Sequence, residues 1–125
     1  MPKIDNSNAP TFEIPGVTFI GVAAPSRGGT KETAVWRAKL APNVPGQRHH
    51  MTREEIIIAV SGEGILRIGD ETETLRPGDA FAVPAFTDFV LESAGDEEFE
   101  VTVVLPVGGR GVIGNEPSFV PAWSV

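Results

Sequence analysis

The chain has 125 residues, 10 basic against 17 acidic, and its formal charge of −7 disfavours a nucleic-acid backbone or an anionic membrane surface as partner. It has no cysteine, which removes disulfides, thiolate zinc sites, iron–sulfur clusters and cysteine nucleophiles. No stretch nears the roughly 20 apolar residues of a membrane span, and the N-terminus lacks the apolar run of a signal peptide, so the expected location is cytoplasmic.

The length and the 41% hydrophobic content predict one domain over residues 1–125. Residues 1–16 begin with a polar, proline-containing stretch and are expected to form an N-terminal arm, ahead of a core barrel over 30–107. Short apolar runs follow at 17–22, 33–40, 55–60, 65–68, 80–83, 89–91 and 99–105. Turn signals separate them, among them Pro25-Ser26-Arg27-Gly28-Gly29, Ser61-Gly62-Glu63-Gly64 and Arg76-Pro77-Gly78-Asp79. Many short strands at this spacing predict an all-β sandwich or barrel, and no segment between them has the length and period of an amphipathic helix.

In the run 99–105 every odd position is apolar while Glu100 and Thr102 interrupt the even ones, which predicts one core face and one partly wet face. Ile56-Ile57-Ile58-Ala59-Val60 shows no alternation, so both faces of that strand are expected to be covered, by the N-terminal segment or by a second subunit in a homodimer. Residues 108–125 read as an irregular C-terminal tail whose Phe119 and Trp123 pack across the barrel or onto a neighbour. Gly109, Gly111 and Gly114 spell G-x-G-x-x-G, but Pro117 and Pro121 break the helix that a dinucleotide site requires.

Between residues 45 and 84 the chain reads Pro45-Gly46-Gln47-Arg48-His49-His50-Met51-Thr52-Arg53-Glu54-Glu55, then Gly62-Glu63-Gly64, Pro77-Gly78-Asp79 and Val83-Pro84. This resembles the two signature motifs of the cupin family over roughly residues 30–107, and the resemblance implies a jelly-roll β-barrel of antiparallel sheets. Glu55 and Gly62 fit the interval of the first motif, and Gly78 and Pro84 fit the first half of the second. The second half departs: Phe86 stands where the family has glycine, Phe89 where it has the third histidine, and Ser93 where it has asparagine.

In metal-binding cupins three histidines and a glutamate converge inside the barrel. This chain has two histidines, adjacent in sequence, so in a strand only one of them faces inward. If His49 takes the first position, Met51 replaces the second histidine; if His50 takes the second, Arg48 replaces the first. The Thr52-Arg53-Glu54-Glu55 run favours the former, with His49, Met51, Glu55 and Phe89 lining the pocket. A thioether is a soft ligand and phenylalanine donates nothing, so the expectation is no cofactor; the alternative is a divalent transition metal on His49, His50 and Glu55.

With Met51, Ile57, Phe81, Phe89 and Trp36 facing inward, the interior suits a small apolar or aromatic molecule. His49 and Glu55 are then the candidate catalytic acid–base pair, working without metal. Two other readings stand beside this one: a metal-dependent cupin enzyme such as a dioxygenase, isomerase or cyclase, and a non-catalytic dimeric interaction module.

Overall fold

The computed structural model describes residues 3–125, so the first two residues of the expected arm lie outside the described part. The chain forms eleven strands: β1 (Thr11–Ile14), β2 (Val17–Ala23), β3 (Thr33–Leu40), β4 (His50–Met51), β5 (Glu55–Ser61), β6 (Gly64–Ile68), β7 (Glu71–Leu75), β8 (Ala80–Val83), β9 (Phe89–Ser93), β10 (Phe99–Pro106) and β11 (Gly111–Val112). One turn of 3₁₀ helix, Ala122–Ser124, closes the chain, and no α-helix occurs among the described residues.

A six-stranded sheet runs β1-β2-β3-β10-β5-β8, and a three-stranded sheet runs β7-β6-β9. A two-stranded ladder, β11-β4, joins the smaller sheet through the bridge between His49 and Phe89. Every strand pair in these ladders is antiparallel, and the architecture is a jelly-roll barrel.

Period-two alternation sets the interior. In β3 the even residues Ala34, Trp36, Ala38 and Leu40 are buried, and in β10 the odd residues Phe99, Val101, Val103 and Leu105 are buried against them. Each such large apolar side chain contributes on the order of 1.5–3 kcal/mol through burial. Packing this close needs small neighbours: a Cβ at Gly64 would overlap the Phe99 ring, which is why the tight β5–β6 turn ends in glycine.

The strands differ from the sequence expectation where hydrophobicity is a poor guide. Strand β7, Glu-Thr-Glu-Thr-Leu, exposes four of its five residues at the rim of the smaller sheet, so the ladder with β6 forms it and no apolar run announces it. Part of the expected arm is strand β1, which pairs with β2. The expected irregular tail contains β11, and Gly111 exchanges hydrogen bonds of 2.8 and 3.0 Å with Phe119. The Gly-x-Gly-x-x-Gly segment opens no helix.

The expectation that both faces of the 56–60 strand are covered is not met within one chain. Ile57 and Ala59 face the core, whereas Ile56 and Val60 are 37% and 46% exposed. The N-terminal strand sits at the opposite edge of the sheet and covers nothing here. Val35, Val104, Ile56 and Ala82 form one cross-strand row on this outer face.

Candidate functional site

The same parity that builds the core places the site. Glu55 begins β5 in phase with Ile57 and Ala59, so its side chain is carried inward and is only 5% exposed. Met51 is in phase with His49, one residue ahead of β4; both line the interior, while His50 points to the other side. The barrel holds an open-mouthed cavity of about 590 Å³, walled by Phe19, Trp36, Met51, Ile57, Phe89 and Trp123, with His49, Glu55 and Gln47 as its polar side chains. This volume is in the range of small-molecule sites.

His49 is held from two directions. Its backbone exchanges hydrogen bonds of 3.1 and 2.8 Å with Phe89, and the two rings lie 4.4 Å apart at their centroids. Its Nδ1 lies 2.8 Å from the carbonyl oxygen of Gln47, and a carbonyl only accepts, so Nδ1 carries the hydrogen and Nε2 keeps a free lone pair. Burial lowers the pKa of His49 below its ordinary value, against the opposing pull of the Gln47 carbonyl and of Asp88. The ring is therefore neutral near pH 7.

Glu55 has no hydrogen bond or ion pair among the described residues; neither Arg48 nor Arg53 reaches it. Desolvation alone pushes its carboxyl up to about 8, so at neutral pH it is mostly protonated and is a hydrogen-bond donor. The cavity thus presents one donor acid and one acceptor base on walls that are otherwise mainly apolar.

The donor set does not fit a metal ion. His49 and Glu55 supply one imidazole and one carboxyl, Met51 supplies a thioether, and Phe89 supplies nothing. His50, weighed above as a third ligand, donates Nδ1–H to Asp88 Oδ1 at 2.9 Å outside the cavity. Among the described residues no three histidine, aspartate or glutamate side chains converge.

Of the residues expected in the pocket, Trp36, Met51, Ile57 and Phe89 line the cavity. Phe81 does not; it pairs with Ile57 in the ladder and packs partly buried against the core. The sequence reading missed Phe19 and left Trp123 with two options. Trp123 packs across the barrel, with its ring stacked on Phe19 at 3.7 Å and edge-on to Trp36 at 6.2 Å. Aromatic residues in a proline-broken tail were the available signal for such a plug; nothing in β2 marked Phe19 as a wall.

A jelly-roll barrel with an inward-facing histidine and glutamate at the first-motif positions defines the class of protein. The Cupin domain family model matches residues 36–105, more than half of the chain, and the chain belongs to that family. It is 33% identical over 69 residues to 1-hydroxy-2-naphthoate 1,2-dioxygenase of Nocardioides sp. (strain KP7), covering 54% of this chain and 18% of that one. It is 26% identical over 101 residues to auxin-binding protein 1 of Arabidopsis thaliana, covering 73% and 50%. The chain therefore spans half or less of the length of these curated relatives. The polyketide cyclase RemF from Streptomyces resistomycificus has the same fold, with a TM-score of 0.75 at 17% identity over 98% of this chain and 88% of that one.

Proposed function

We propose that the chain is a small-molecule-binding cupin whose barrel takes a largely apolar or aromatic ligand, with His49 and Glu55 as a metal-independent acid–base pair. The observation that carries this reading is Glu55: a carboxyl group with no partner among the described residues, set in the wall of a largely apolar cavity. Burying such a group without a hydrogen bond costs about 1–3 kcal/mol or more, a cost that a ligand offsets by supplying the missing bond. A buried carboxyl with a raised pKa is a common mark of a functional site.

The pair suits enolisation. The Glu55 carboxylic acid gives its proton to a ligand carbonyl oxygen as His49 Nε2 takes one from the adjacent carbon, leaving an enol, a carboxylate and an imidazolium. His49 then returns its proton to a different carbon while the Glu55 carboxylate takes back the enol O–H proton, which completes an isomerisation; where the enol carbon attacks a second carbonyl, the imidazolium protonates the new alkoxide and Glu55 again recovers the enol proton, which completes a ring closure. The substrate in the name of the Nocardioides relative shares the fused aromatic ring but is a carboxylate, so it supports only the aromatic part of this reading, and a cyclase is among the fold neighbours. A thermal-shift screen of ring-bearing carbonyl compounds tests binding, with His49→Ala and Glu55→Leu losing the response; a screen without hits removes the reading.

The metal-dependent alternative is tested by elemental analysis of protein purified without chelators, where about one equivalent of a transition metal reinstates it. For partners, we infer a homodimer over the outer row of Val35, Val104, Ile56 and Ala82, because an exposed apolar sheet face of this kind is ordinarily covered. A strict monomer by sedimentation removes that inference and the interaction-module reading with it.

A further inference from the structure

We propose that the barrel selects ligands by charge: it takes an uncharged aromatic hydroxy-carbonyl compound and rejects the matching aromatic carboxylate. The inference rests on the binding reading above and concerns which ligand class satisfies that site. The polar side chains Gln47, His49 and Glu55 line the cavity together with Trp123, whose buried Nε1–H has no partner among the described residues, and no lysine or arginine is among the described lining residues. An anion entering the barrel would leave water without gaining a cation, among the most expensive arrangements a protein interior holds. It would also sit beside Glu55, whose own charged form is disfavoured by the same surroundings.

A neutral ligand meets the opposite situation. The Nδ1–H of His49 is already given to the Gln47 carbonyl, so the free nitrogen accepts and requires a hydroxyl or a C–H acid. Glu55, without a partner among the described residues, donates and requires a carbonyl oxygen. The remaining wall is the stacked and edge-on set of Phe19, Trp36 and Trp123 with Phe89, which takes flat rings. His49 as acceptor, Glu55 as donor and the flat aromatic walls together suit a phenolic ketone, and the 590 Å³ cavity has room for a fused-ring example.

The test is a matched pair measured by calorimetry on the whole wild-type chain at pH 7: 6-acetyl-2-naphthol and 6-hydroxy-2-naphthoate, which differ in methyl ketone against carboxylate and whose hydroxyl is too far from that group to bond it internally. The ketone is expected to bind at least tenfold more tightly, and Glu55→Leu, which removes the donor, to weaken the ketone about tenfold. Equal or tighter binding of the naphthoate overturns the charge selection and leaves the binding reading standing. Binding of neither compound overturns both. Unchanged ketone affinity in a folded Glu55→Leu protein overturns the assignment of Glu55 as the donor.

Discussion

His49 gives its Nδ1 hydrogen to the backbone of Gln47, two residues earlier in the chain, over 2.8 Å. One local hydrogen bond thereby fixes the tautomer of a ring that lines the cavity, and it does so before any ligand arrives. The same bond opposes, without cancelling, the lowering of the pKa by burial.

A pH profile follows from this pair. The competent form needs neutral His49, present above its lowered pKa, and protonated Glu55, present below about 8. Ligand affinity or turnover is expected to be bell-shaped, with the alkaline limb near pH 8 and the acid limb below the usual histidine range. Glu55→Gln should abolish the alkaline limb and His49→Gln the acid one. A flat profile from pH 5 to 9 in the wild type would count against both roles.

Stability should report Glu55 without any ligand. Its folded pKa of about 8 lies above the ordinary 4.5, so between these values the native state holds a proton that the unfolded chain has lost. Stability from this group is complete below the lower value and falls as pH rises to the upper one, by about 1.4 kcal/mol per pH unit at most. Replacing the acid by Gln removes this slope, so the stability of the variant relative to the wild type rises steadily between pH 5 and pH 8. Urea melts at pH 5, 7 and 9 would show it; parallel pH dependences in the two proteins would place Glu55 in water.

The fold is legible because the strands are short apolar runs between turn signals: 33–40 and 80–83 are read with their true ends, and 99–105, the run with clear alternation, falls one residue short. Strand β7 is not, since a rim strand of Glu and Thr is formed by its ladder alone. In the site, strand parity made the question of His49 or His50 answerable in kind but not in phase. What fixes the phase is the bridge from His49 to Phe89, a contact across forty residues that local sequence does not encode. Trp123 and Phe19 meet across a still longer separation, which is why the sequence offers Trp123 two places to pack and does not mark Phe19 as its partner.

Phe86 carries a cost that the sequence hints at. It occupies a family glycine position and adopts φ of 59°, the left-handed region, and the residue is 70% exposed. Its N–H bonds the Met51 carbonyl at 2.8 Å, so the turn that needs this backbone also anchors β4 beside the cavity. Phe86→Gly keeps that bond, relieves about 1–2 kcal/mol of backbone strain and gives part of it back as unfolded-state entropy. A gain of up to about 1 kcal/mol, or a few degrees in Tm, is expected; a loss of more than that would mean that the ring's contact with His50, 6.2 Å between centroids, outweighs the backbone strain.

The two departures from the metal signature lie where a restoring experiment is simple. Met51 and Phe89 both line the cavity, and the Phe89 ring is already against His49. Met51→His with Phe89→His would raise the inward donor set from one imidazole and one carboxyl to three imidazoles and a carboxyl, enough for a four-ligand site. A bound divalent ion would also draw the proton from Glu55, so the group that burial keeps neutral would become an anion. Metal occupancy is expected to rise from well under one equivalent in the wild type to about one in the double variant, with Tm becoming chelator-sensitive. If the double variant folds and remains metal-free, the cavity walls have closed in on the old site beyond the loss of its ligands, and the apolar pocket is a reshaped volume as well as a change of donors.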